Sequence, residues 1–205
     1  MKMLKKLSLI AFAILMLSCS GDKKGKEIDW ISLKKDIQLD PSKEKQFDEI
    51  IAKYTRIQED NYNAAQGQGK KMNRTALLTK QEEARAQQAL EMEKVLDAPQ
   101  MEKFNKFVDE NSRKRPRYND ALLQKIKTEA QLSEEEFAVV NAANDAFEKA
   151  FNDAHDVYHG NDDLAKEYWD KFNEQRKAAI QKALTPEHYT KFEELIKEVE
   201  LKEKE

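Results

Sequence analysis

The stretch "KALTPEHYTKFEELI", Lys182 to Ile196, contains the break that decides how this chain folds. Leu184 precedes Thr185 and Pro186, and a helical apolar pattern resumes at Tyr189, Phe192 and Ile196. A threonine oxygen in that place can accept a hydrogen bond from the backbone N–H groups of the next turn. Proline costs nothing at a first helical position, because its missing N–H would have had no partner there. Leu184 can staple onto Tyr189 across the cap. The stretch therefore predicts one helix ending and another beginning, with His188 on the first turn of the second.

Three more breaks led by leucine follow the same physics. In "LSEEEF" Ser133 caps, Glu136 completes a capping box, and Leu132 staples to Phe137. In "LDAPQM" the cap is Asp97, Gln100 stands at the box position, and Leu96 staples to Met101. "LDPSKE" is the poorest: Leu39, Asp40 and Pro41 fit a helix start, but Glu44 occupies the staple position. The chain has only five glycines and four prolines, and they fall at breaks. Gly67, Gly69 and Gly160 lie between helical runs, and Pro116 lies inside a basic run.

Between the breaks the apolar spacing is helical. Phe47, Ile50, Ile51, Tyr54 and Ile57 form one stripe. Phe137, Val140, Phe147, Phe151, Ala154 and Tyr158 form a second; Leu164, Tyr168, Phe172, Ala179 and Ala183 form a third. Three-and-four spacing buries one helix face and wets the other. Leu77 to Leu96 is weaker, since Gln81 to Gln88 offers only Ala84 and Ala86. No alternating run survives as a strand, so the fold class is all-α.

The chain also matches itself. Gln38-Leu39 meets Gln131-Leu132 at an offset of 93, where Leu33 meets Ile126, Phe47 meets Val140, Tyr54 meets Phe147 and Gly67 meets Gly160. After the glycines the offset is 88, pairing Leu96, Lys103 and Phe104 with Leu184, Lys191 and Phe192. The slip falls at "GQGKKMN", where a change of length is cheapest. The expectation is two tandem, elongated helical hairpin repeats, 28–112 and 120–205, joined by a basic linker at 113–119. Each repeat would run short helix, long helix, turn, long helix, final helix.

Residues 1–18 read as a lipoprotein signal peptide. "MKMLKK" carries three lysines, Leu7 to Leu17 is an apolar run too short to span a bilayer, and Ser18 precedes Cys19, the only cysteine. Cys19 resembles the acylated first residue of a bacterial lipoprotein, with 19–27 as a flexible tether; an unlipidated secreted protein with a spare thiol is the alternative. Loss of the leader removes three of 36 basic residues and leaves 33 against 39 acidic ones, a net charge of −6. Such a chain has no electrostatic footprint for nucleic acid.

Two Leu-Thr-x-x-Gln boxes flanking a helical hairpin mark the Spy/CpxP family, and this chain resembles that family in tandem duplicated form. The boxes are Leu39-Asp40 with Leu96-Asp97-Gln100, and Leu132-Ser133-Glu136 with Leu184-Thr185-His188. None matches in full: threonine stands only at Thr185 and glutamine only at Gln100, so the resemblance lies in layout. His188 takes the place of the family's glutamine and reads as a variant capping residue. The resemblance implies a helical cradle that holds unfolded or assembling envelope proteins without ATP, or senses envelope stress. The duplication leads to the expectation that one chain, a monomeric pseudo-dimer, supplies both halves of the cradle. The expected setting is the bacterial envelope, lipid-anchored in the outer membrane and facing the periplasm or the cell surface. An adaptor lipoprotein docking one specific envelope partner is the alternative.

His155 and His159, four apart in "AHDVYH", could share one zinc or copper ion, making a metal-binding sensor the third reading. Metal-sensing relatives of the family use such a pair. The opposing reading is a polar helix end, with the imidazoles near the negative end of the helix dipole. No other cofactor is expected. "HDVYH" lacks the glutamate of a zinc-protease helix and a third ligand, "GQG" lacks the context of a phosphate loop, and no serine sits in a nucleophile elbow. An enzyme is not expected. "RKRPR", Arg113 to Arg117, reads either as a solvated linker or as a contact for anionic headgroups or clients.

Overall fold

The computed structural model describes residues 28–66 and 71–202. The leader, Cys19, the tether and the Gly67–Gly69 turn lie outside the described residues. Among those described there is no strand, and no helix is long and apolar enough to cross a membrane. Helices α1 (Trp30–Asp36), α2 (Pro41–Gln66), α3 (Arg74–Met92) and α4 (Ala98–Asn111) make a first arm. Helices α5 (Asp120–Glu129), α6 (Glu134–Asp153), α7 (His155–Tyr158), α8 (Asp162–Ala183) and α9 (Pro186–Lys202) make a second. The α2/α3 and α6/α8 pairs form the two long hairpins.

The Gln-Leu matches have a backbone meaning. Gln38 and Gln131 both adopt φ 51° in the left-handed region. At the first, Leu39 N–H donates to Lys34 O (3.0 Å) and Gln38 N–H to Lys35 O (3.1 Å). At the second, Leu132 N–H donates to Lys127 O (3.0 Å) and Gln131 N–H to Thr128 O (3.3 Å). This double closure, followed by an apolar residue that folds back on the helix, is the Schellman motif. It ends α1 and α5 alike and turns Leu39 and Leu132 inward.

Each arm has its own core. In the first, Leu33, Ile37, Leu39, Phe47, Met92, Leu96 and Phe104 pack together, with the Trp30 ring against Phe107 at 5.5 Å. In the second, Leu122, Ile126, Leu132, Val140, Ile180, Leu184, Phe192 and Ile196 do so, with Tyr118 edge-on to Phe192 at 6.1 Å. No residue belongs to both clusters.

Two expectations fail in α6–α8. The stripe ending at Tyr158 is not one helix but breaks at Ala154. The Lys71 ammonium takes the Asp153 carbonyl at 2.6 Å, and Val157 N–H turns to the Ala154 carbonyl instead. The α8 stripe is also displaced. Ala179 is exposed, Leu164, Tyr168, Phe172 and Ala183 are only half-buried, and the buried residues of α8 are Arg176 and Ile180. Apolar letters alone could not place this face, because a charged side chain occupies its centre.

Candidate functional site

The four boxes fold as caps, and each pair meets. Asp97 accepts from Gln100 N–H at 2.9 Å, while the Gln100 side chain accepts from Asp97 N–H at 3.2 Å. Ser133 and Glu136 make the same reciprocal bonds at 3.2 and 2.9 Å. Thr185 Oγ1 accepts from His188 N–H at 3.2 Å, and Asp40 accepts from Ser42 N–H at 2.8 Å. The side chains at the glutamine positions then reach across, Gln100 to the end of α1 and His188 to the partner box itself. Gln100 Nε2 donates to the Ile37 carbonyl at 3.0 Å, just before Leu39. His188 Nδ1 lies 2.9 Å from Glu136 Oε1, 52 residues away. The Ser133 N–H bond, seconded by His188, holds the Glu136 carboxyl down at about 2. His188 thus gives its backbone N–H to the Thr185 cap, while its side chain, instead of closing a box, ties the two boxes together.

His155 and His159 stack with ring centroids 4.8 Å apart. His155 is buried, and its Nδ1 stands 3.6 Å from Asp156, whose carboxylate pairs with Arg74 at 3.0 Å. Burial, and then the charges of Arg74, Arg113 and His159, push the His155 imidazole below its ordinary value. Among the described residues, no group of three or more His, Cys, Asp or Glu is placed to hold a metal ion.

The basic run is neither solvated nor open to anions at Arg115 and Arg117. Arg115 grips Glu148 through Nε at 2.7 Å and Nη2 at 2.5 Å, and reaches Glu82 on α3 through Nη1 at 2.9 Å. Arg117 Nη1 contacts Asp145 at 2.7 Å and Glu148 at 3.3 Å, and Lys114 pairs with Asp109 at 2.9 Å. Glu148 is 1% exposed. Its hydrogen bonds raise the Arg115 guanidinium still further above its ordinary range.

Glu148 belongs to a buried polar face of α6 formed with Asn144 and Asn152 and continued past the break by His155 of α7. Asn144 Oδ1 accepts from Tyr118 N–H at 3.0 Å and from Arg176 Nη1 at 2.9 Å, and its Nδ2 donates to Tyr118 O at 2.9 Å. Asn152 Nδ2 donates to Thr75 Oγ1 of α3 at 3.0 Å. The Arg176 guanidinium lies between the rings of Tyr118 (3.6 Å) and Phe147 (4.0 Å). A search for apolar stripes passes over this face. Its signal is polar residues at 144, 148, 152 and 155, a helical spacing beside the apolar one.

Beyond Arg176 an aromatic strip runs along α6 and α8, outside both cores. Trp169, 36% exposed, stands edge-on to Phe147 at 4.9 Å and to Phe151 at 5.2 Å. Phe151 stacks on Tyr158 at 4.7 Å, and Tyr168 and Phe172 follow, with Lys171 about 5.8 and 5.7 Å from their ring centres. A shallow slot of about 110 Å³ between the two helices is lined by small alanines, by Phe147 and Phe172, and by Gln175 and Arg176. In the first arm Gln58 and Gln81 hold the positions that the offsets match to Phe151 and Trp169, and Gln81 Nε2 donates to the Gln58 carbonyl at 3.1 Å.

No family model matches this chain, and no curated protein or solved structure matches it either.

Proposed function

We propose that this protein is a Spy-like, ATP-independent holdase for unfolded or assembling envelope proteins, a binding protein rather than an enzyme. The observation that carries the reading is the aromatic strip. Phe151, Tyr168, Trp169 and Phe172 lie together, half-exposed, along one hairpin and outside both cores, and they are ringed by charge. Half-wet aromatics beside lysines and carboxylates suit transient contact with many apolar segments. Support for the family resemblance comes from the pairing of boxes through Gln100 and His188. Support for a tandem duplication comes from the matching Schellman motifs at Gln38 and Gln131 and the matching core positions. On this reading one chain supplies both halves of the cradle, tethered to the envelope through Cys19.

The test is suppression of aggregation of two unrelated, chemically unfolded clients by the full chain at equimolar ratio. Suppression of both, weakened in Trp169→Ala without loss of helix content, is the expected result. Suppression of neither ends the holdase reading. The adaptor reading has one observation in its favour: the strip occupies only the second hairpin, as a dedicated docking patch would. Failure with both clients, together with stoichiometric capture of a single envelope protein, would establish the adaptor instead.

A further inference from the structure

We propose that the seam between the two hairpins is a reversible latch, closed by the 113–118 strap, which lets two separately packed arms part and close as units. The first ground is the absence of a shared core. The two apolar clusters have no residue in common, so parting the arms opens neither of them. The second is the chemistry of what does join them. Thr75 bonds Asn152, Arg74 pairs with Asp156, Lys71 reaches the Asp153 carbonyl, and Arg115 bridges Glu82 of α3 to Glu148 of α6.

Polar contacts of this kind have a small net free energy, because water offers the same partners when they separate. A buried ion cluster recovers little beyond its desolvation cost, whereas burying apolar area is favourable without compensation. An interface made of such contacts resembles those between domains that move relative to one another. The third ground is the strap itself. Arg115 and Arg117 converge on Glu148 from the only connection between the arms, so the clasp stays tethered when it opens. For its use, though not for its measurement, the latch rests on the client-holding reading, since separable arms would admit clients of different girth.

The test is a distance distribution by pulsed electron paramagnetic resonance on the full chain. Spin labels go at Lys80 on α3 and Lys149 on α6, both exposed, with Cys19→Ser to keep the labelling clean. Expected is a short-distance population with a minor longer one, the latter growing about tenfold in Glu148→Gln and severalfold in Thr75→Val. Helix content and the hydrogen exchange of both cores stay unchanged. Thr75→Val nearly preserves shape, so it keeps the test alive should Glu148→Gln fail to fold. A single unchanged distribution in the variants overturns the latch, as does separation accompanied by loss of protection in either core. A latch that opens in a chain that holds no client would sink the holdase reading and leave the latch standing.

Discussion

Phe104 and Phe192 occupy matching places in the two cores, and truncating each to alanine asks whether the arms are held up separately. Phe192 is fully buried against Tyr118 and Tyr189, and Phe104 is 1% exposed against Trp30 and Phe47. Removing a phenyl ring from such a site costs about 3–5 kcal/mol, the lost transfer energy plus the cavity left behind. An arm of roughly 85 residues has about 4–13 kcal/mol to lose at ordinary stability per residue. The same deficit lowers its melting point by about 12–40 °C in a unit of that size. Each arm carries one tryptophan, Trp30 in the first core and Trp169 on α8, so fluorescence in single-tryptophan backgrounds reads each arm alone. Phe104→Ala should bring the Trp30 transition to lower denaturant and leave the Trp169 transition within about 0.5 kcal/mol of its place. Phe192→Ala should do the reverse. If both transitions move together for either substitution, the two clusters are one cooperative core and the reasoning from their separation is wrong.

Four further outcomes follow from particular contacts. His188→Ala should cost the second arm about 0.5–1.5 kcal/mol and let the Glu136 carboxyl rise from about 2, whereas His188→Gln should keep most of the stability; carboxylate titration by NMR with denaturant melts will tell. Because Glu136 is depressed on folding, its contribution is complete above its ordinary 4.5 and lost as pH falls through about 2. A Glu136→Gln variant should accordingly show a flatter acid limb in a pH series of melts. Arg176→Lys should lose about 2 kcal/mol, since an ammonium cannot both lie flat between the Tyr118 and Phe147 rings and reach Asn144; no loss in urea denaturation would refute the stacked geometry. Gln38→Gly and Gln131→Gly should each gain up to about 1 kcal/mol, glycine being unstrained at positive φ, and a loss in either would show that the glutamine side chain has a role of its own.

What the sequence made legible were its breaks. Helices do begin after Leu96, Leu132 and Leu184, and all three leucines are buried, because a cap and the residue that answers it lie within a few positions of each other. The Gln-Leu pair was visible as a match before its cause, the left-handed turn, could be known. The seam was not legible. Asn144, Glu148 and Asn152 look like solvent-facing residues until Tyr118, the strap arginines and Thr75 arrive from 26, 31 to 33 and 77 residues away. The same distance hid the partner of His188, since nothing near it in the chain points to Glu136. The displaced stripe on α8 has a related origin. Arg176 is buried only because two rings on other elements flank it, and the sequence of one helix cannot show that.

The strap also changes how this molecule would meet a charged surface. Arg113 to Arg117 is the densest basic run after residue 18, yet within the fold Lys114, Arg115 and Arg117 face Asp109, Glu82, Glu148 and Asp145 at contact distance. Their field is closed locally, and what remains to act over a Debye length is the acidic excess of the rest of the chain. Close to an anionic surface the run would therefore add little attraction, since its charges already have partners within the fold.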